Sequence, residues 1–376
     1  MEIGLMTDWL VILIQAPSPS SDNAPMRPSR LNIPQLLQGV SRSFGLSIRL
    51  LPAALREPVG LAYLLARSTD TIADTTHLPA PQRLALLDSL QHAIDAPGDD
   101  PQLLHALRDF ARHVADVHEK TLLERGQDCL RALAQQPAAD QAAIRQVLAA
   151  IVAGQRWDLL TLDGPQRGVQ TRAELDRYTW LVAGSVGEFW TRMCELHLPH
   201  WHAGSTAQML QWGANYGRGL QRLNILRDAH RDLTGGRCYF PTEELAPLGL
   251  DHEGLCAAVR TCDRDTLQQL DALLNEWHRL TEALLHDGLR YSLALRGWRL
   301  RLASALPCLI GIRTLGLLRR AGPQALLLHI KLPRAEVRRL LYALLLGGTS
   351  DRQLIARWHA ALPGAKASPV SARIGT

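Results

Sequence analysis

Lysine is nearly missing from this chain. Of 41 basic residues only Lys120, Lys331 and Lys366 are lysines, and the other 38 are arginines. No lysine/arginine run or arginine-glycine block occurs, and the formal net charge is only +5, so the chain lacks the electrostatic footprint of a nucleic-acid binder. The six cysteines, Cys129, Cys194, Cys238, Cys256, Cys262 and Cys308, form no C-x-x-C pair and no zinc-spaced cluster with histidine. They read as free thiols of a reducing cytoplasm. There is no Gly-rich dinucleotide fingerprint. No series of period-2 alternation, Asn-Gly hairpin or regular repeat is found, which excludes a sheet-based architecture. Long uninterrupted apolar runs are also scarce. Residues 9–15 are too short to span a bilayer, and the run Leu302 to Leu318 is broken by Pro307 and Arg313, so it reads as a core helix.

What is present is helical periodicity over most of 376 residues, with 47% apolar and 20% charged residues, enough for a large buried core. Residues 1–30 read as a flexible lead-in, 31–361 as one all-α domain with helices around a central apolar cavity, and 362–376 as a flexible tail. Helices are expected from Pro34, from Pro52 to about His77, and from Pro81 to Ile94. They continue over 102–118, 119–133 and 140–160. Thr171 with Glu174 predicts a capping box. A long helix over 206–232 is stopped by Gly235-Gly236, and further helices follow at 242–246, 251–261, 263–287, 290–320, 323–331, 333–346 and from Asp351 to Ala361.

Two stretches carry chemistry. In Arg67-Ser68-Thr69-Asp70-Thr71-Ile72-Ala73-Asp74, the aspartates stand four residues apart, on one helix face, after an apolar run. Asn224-Ile225-Leu226-Arg227-Asp228-Ala229-His230-Arg231-Asp232 repeats the arrangement. Like charges at that spacing repel, so a cation must offset them. Mg²⁺ is a hard ion that takes one or two carboxylates plus substrate phosphate. Two D-x-x-x-D pairs, each beside an arginine and each ending an apolar helix, suit a diphosphate headed by metal and trailed by hydrocarbon. Metal and arginine would stabilise a departing diphosphate, and apolar walls would shield a carbocation from water. Two further stretches are open between readings. Ser41-Arg42-Ser43-Phe44-Gly45 is a phosphate-facing turn or a helix cap. The small residues of Val182-Ala183-Gly184-Ser185-Val186-Gly187 admit close approach of another helix or of a ligand.

Taken together, Ser41-Arg42-Ser43-Phe44, Asp70 to Asp74, Tyr178 with Val182 to Gly187, Gln221 to Asp232, Gly236-Arg237 and Phe240-Pro241 resemble the squalene/phytoene synthase family, in order and spacing, over roughly residues 34–335. The resemblance implies an all-α isoprenoid synthase fold and head-to-head joining of two prenyl diphosphates. It implies that Asp70, Asp74, Asp228 and Asp232 bind Mg²⁺–diphosphate, and that Arg42, Arg67 and Arg227 contact phosphates. Ser41, Ser43, Phe44, Val182, Gly184, Gln221 and Asn224 would complete the substrate site, with Tyr178 facing the reacting carbons. Gly235 to Pro241 and the segment around Lys331 are closer to the squalene synthase form, which implies NADPH, with Lys331, Arg67 and Asn224 near the nucleotide. The expected substrate is farnesyl diphosphate; the alternative product is phytoene, dehydrosqualene or presqualene diphosphate. Thr75 and Arg231 stand where the family often has acidic residues. The C-terminal membrane anchor usual in eukaryotic squalene synthases is not expected here, and the chain is expected to act as a cytoplasmic monomer of soluble or peripheral form, with a membrane contact near Leu340–Leu346 as an option.

Overall fold

The computed structural model describes residues 33–40, 48, 51–96, 98–162 and 168–361. Among the described residues there is no strand, only an isolated bridge between His202 and Leu295. The helices are α1 (Ile33–Val40), α2 (Ala53–Asp74), α3 (Ala80–Asp95), α4 (Pro101–Ala111), α5 (Val117–Glu124), α6 (Gly126–Ala134), α7 (Ala138–Leu162) and α8 (Arg172–Thr179). A π-helical turn, Trp180–Gly184, joins α8 to α9 (Ser185–His197). There follow α10 (Thr206–Thr234), α11 (Thr242–Leu245), α12 (His252–Thr261), α13 (Arg264–Gln268), α14 (Asp271–Ala294), α15 (Trp298–Ala321), α16 (Arg334–Gly347) and α17 (Asp351–Ala361). Short 3₁₀ turns occupy Ala246–Leu248 and Gly322–Leu327.

Local chemistry explains most boundaries. Asp100 accepts from the backbone N–H groups of Gln102 and Leu103, with Pro101 in the first turn of α4, where its missing N–H costs nothing. The Thr171–Glu174 capping box forms as expected. Gly236, at φ +81°, turns the chain after α10.

Several boundaries differ from the periodicity: 119–133 and 263–287 are each divided into two helices, and 323–331 is a 3₁₀ turn that ends at Leu327. Helix α2 ends at Asp74, not near His77, because the buried Arg83 guanidinium donates to the carbonyls of Ala73 (2.6 Å) and Leu78 (3.1 Å), taking over the role of a further turn. The expected helix 102–118 stops at Ala111, since Asp116 caps a new helix through the N–H groups of His118 and Glu119. The break expected at 288–289 falls instead at Leu295–Gly297. Gly288 is kept inside α14 because the Tyr216 ring lies directly over it, where a side chain would clash.

Two buried apolar clusters form. One gathers α1–α7 and α9; the other gathers α8, the π turn, α10 and the helices up to α17. Helix α10 is the central element of the second, packed along α14, α9, the π turn and α15. The contacts with α9 and the π turn are close enough that only glycine fits: a Cβ on Gly187 of α9 would overlap the Gly213 carbonyl, and one on Gly217 the carbonyl of Ala183 in the π turn. Helix α15 is long and apolar enough to cross a membrane, but 78% of its most apolar window is buried inside the protein, as a core helix requires.

Candidate functional site

Each aspartate pair ends a long helix, and each helix belongs to a different apolar cluster. The ends of α2 and α10 border one cavity of about 790 Å³, lined by Thr76, His77, Arg83, Arg231, Asp232 and Arg237 among others.

On the α2 side, Asp70 is buried, 1% exposed. Its Oδ1 accepts from the Gln155 amide at 2.5 Å, and its Oδ2 has no protein partner among the described residues. Burial pushes its carboxyl up to about 7, against the pull of the Arg67 guanidinium and the Gln155 hydrogen bond. A carboxyl in that state is short of positive charge. Arg67 supplies part of the cation that the spacing demanded, but it also ion-pairs with Glu119 on α5, which Thr71 supports through its hydroxyl at 3.1 Å.

On the α10 side, Arg227 grips Asp228 with two hydrogen bonds (Nη2 to Oδ2 2.7 Å, Nε to Oδ1 3.1 Å). Burial works against the Asp228 carboxylate, yet Arg227, helped by Arg231 and Lys331, holds it below the usual range. Asp232 is pushed up to about 6 by burial, with Arg231 and Arg237 opposing and Asp228 and Asp158 adding repulsion. Four carboxylates on two helices are hard oxygen donors of the type Mg²⁺ takes together with phosphate and water; one oxygen of Asp70 is unsatisfied, whereas both oxygens of Asp228 are held by Arg227. Among the described residues no three metal-ligating side chains already share one point.

The remaining predicted residues fall in different places. Tyr178 is buried between Trp157 (ring centroids 4.8 Å) and Tyr239 (5.6 Å, stacked). Burial first, and the neighbouring Asp158 second, hold its phenol well above its ordinary value, so it stays neutral. Gln221 is buried and Asn224 half-buried on the inner side of α10, their amides 3.5 Å apart. Gly184 faces Ala214 and Arg218 on α10, and Val182 fills the space over Gly154 on α7. Of the two readings of that small-residue run, helix packing is the one these contacts display. Lys331 is exposed, and among the described residues no contact joins it to Arg67 or Asn224. Ser41, Arg42, Ser43 and Phe44 lie outside the described residues.

Sequence reasoning passed over one stretch of α7, Gly154-Gln155-Arg156-Trp157-Asp158. Gly154 admits Val182, Gln155 holds Asp70, and Trp157 supports Tyr178. Asp158, fully buried, ion-pairs with Arg237 and accepts from the Tyr239 hydroxyl at 2.6 Å. One helix therefore ties the first aspartate motif to the tyrosine and to the arginine beside the second motif. The available signal was a glutamine and an aspartate at i and i+3 on an otherwise apolar helix face. Glu119, the partner of Arg67, carried no such signal.

Comparison with known proteins supplies the remaining findings. The family model for squalene/phytoene synthase matches residues 37–340. Squalene synthase ERG9 of Gibberella zeae is 26% identical over 307 residues, 80% of this chain and 61% of its own length. Squalene synthase ERG9 of Saccharomyces cerevisiae is 29% identical over 216 residues, 57% of this chain and 46% of its own length. The chain thus spans less than two thirds of the length of each of these two curated relatives. The solved complex of TcSQS with the ligand E5700 superposes with a TM-score of 0.64 at 24% identity, covering 89% of this chain and 92% of that one, a likeness of fold.

Proposed function

This chain belongs to the squalene/phytoene synthase family, and on that premise we propose that it condenses two farnesyl diphosphates head to head, first to presqualene diphosphate and then, with NADPH, to squalene. The observation that carries the proposal is the approach of the two helix ends that bear the D-x-x-x-D pairs, α2 and α10, to one cavity lined by Asp232, Arg231 and Arg237, together with a buried Asp70 oxygen that has no protein partner among the described residues.

Asp70, Asp74, Asp228 and Asp232 would hold Mg²⁺, whose chemistry when bound is to stabilise the charge of the leaving diphosphate. The chain's own residues account for the rest. Arg231 and Arg237 line the cavity and add positive charge where an anionic headgroup would sit. Gln155 fixes the orientation of Asp70 through its hydrogen bond. Tyr178, packed against the Trp157 and Tyr239 rings and kept neutral, retains an undissociated hydroxyl, which would not trap a carbocation as a phenolate would. The apolar residues around it limit access of water.

The reductive half of the proposal rests on Gly235 to Pro241 and Lys331. Purified protein incubated with farnesyl diphosphate and Mg²⁺, with and without NADPH, tests both halves. Squalene formed only with NADPH is the expected result. Dehydrosqualene or presqualene diphosphate as the end product in the presence of NADPH overturns the reductive half, and no turnover of prenyl diphosphate overturns the whole proposal.

A further inference from the structure

Helix α16 is apolar on both sides. Its inner face, Leu340, Leu341 and Leu344, is packed into the core. A surface helix normally presents charged or polar groups on its other side. Here the outer face of the second half is Tyr342 (57% exposed), Leu345 (43%) and Leu346 (86%). The same face begins with Arg334, Arg338 and Arg339, all exposed and in no ion pair among the described residues. The acidic residue of this helix, Glu336, is already engaged by Arg313. Arg338, Tyr342 and Leu345–Leu346 follow one another at helical spacing, so cations and apolar groups share one stripe. The patch extends beyond the helix. Arg301, in the first turn of α15, donates to the Thr349 carbonyl just past α16 at 3.0 Å, and the same turn carries Trp298, 53% exposed, with the Arg299 guanidinium 5.3 Å from its ring centroid.

We infer that this face is a docking surface for an anionic lipid membrane. The charge pattern selects that occupant. Uncompensated arginines beside exposed leucines, with a tryptophan and a tyrosine at the margin, match a surface whose headgroups are negative and whose interior is hydrocarbon, and amphipathic rings settle at that boundary. A second copy of this chain would instead bring the same unpaired arginines against one another.

Each arginine near an anionic bilayer contributes about fivefold to partitioning, and each inserted leucine adds a salt-independent part. The test is flotation of the full chain with vesicles of phosphatidylcholine alone or mixed with phosphatidylglycerol. Wild-type protein is expected to float with the mixed vesicles and to be released by salt. Arg338→Glu/Arg339→Glu is expected to weaken that binding by at least about thirtyfold. Leu345→Ser/Leu346→Ser is expected to abolish the salt-resistant remainder. Both variants should retain the wild-type far-ultraviolet circular dichroism and turnover of farnesyl diphosphate in lipid-free buffer. Binding that survives both pairs of substitutions overturns the inference, as does binding lost only when residues 1–32 are removed. A wild-type dimer in sedimentation that either variant dissociates also overturns it, because the face then belongs to a second copy.

Discussion

Asp158→Asn is the substitution that discriminates most sharply among accounts of the site, because it changes one charge and almost no volume. The Asp158 carboxylate is fully buried, and the Arg237 guanidinium it pairs with is 7% exposed. Asparagine keeps an acceptor for the Tyr239 hydroxyl, so that hydrogen bond survives and what is lost is the counter-charge. Breaking a buried ion pair by removing one partner costs about 3–5 kcal/mol, since the other charge is stranded. The lower end applies here because Asp232 also interacts with Arg237. Unfolding entropy of roughly 2.1 cal/mol/K per residue sums to about 0.8 kcal/mol/K for a chain of this size, so the expected drop in Tm is about 4 °C. Arg237→Gln alone should destabilise by a similar amount. The double variant should be no worse than either single one, giving a coupling of about 3 kcal/mol in a double-mutant cycle read by urea unfolding. A single variant melting within about 1 °C of wild type, or strictly additive losses in the double variant, would refute the reasoning that this pair carries a stranded-charge penalty.

Three further outcomes follow from the same geometry. Gly187→Ala gains about 1 kcal/mol of helix propensity but drives a methyl into the Gly213 carbonyl, and overpacking against backbone costs about 1–3 kcal/mol, so a net fall in the urea midpoint is expected and a raised midpoint contradicts the close α9–α10 crossing. Burial, with the Arg319 charge nearby, depresses the His278 imidazole to about 4. The unfolded chain therefore takes up the proton first, and the stability held by neutral His278 is complete above about pH 6.5 and is lost as pH falls toward 4. His278→Phe should reduce the difference in unfolding free energy between pH 7 and pH 4.5 by about 2.5 kcal/mol, and an unchanged difference counts against that burial penalty. Asp70→Ala or Asp228→Ala is expected to lower turnover of farnesyl diphosphate at least about a hundredfold, as loss of a charge-stabilising contact does, and wild-type rates in either variant would remove the aspartates from the metal site.

What could be read from the chain alone was what depends on neighbours within one or two helical turns. The i, i+4 spacing of Asp70–Asp74 and Asp228–Asp232, the Thr171–Glu174 capping box and the Gly236 stop are all of this kind, and each is where the spacing placed it. Most of what governs the site's electrostatics joins residues far apart in the chain. Gln155 reaches Asp70 across 85 residues, and Asp158 reaches Arg237 across 79. A glutamine or aspartate on an apolar helix face signals only that some partner must exist when the helix is buried, because an unpaired polar group there costs about 1–3 kcal/mol. Which partner it is depends on how α7 packs against α2 and the chain after α10. The same limit applies to Arg67: its position beside Asp70 pointed to a free phosphate contact, yet Glu119, on a different helix, shares it. A diphosphate arriving at α2 would therefore compete with Glu119 for that guanidinium, and the strength of that competition is set by α5, an element that contains neither aspartate motif.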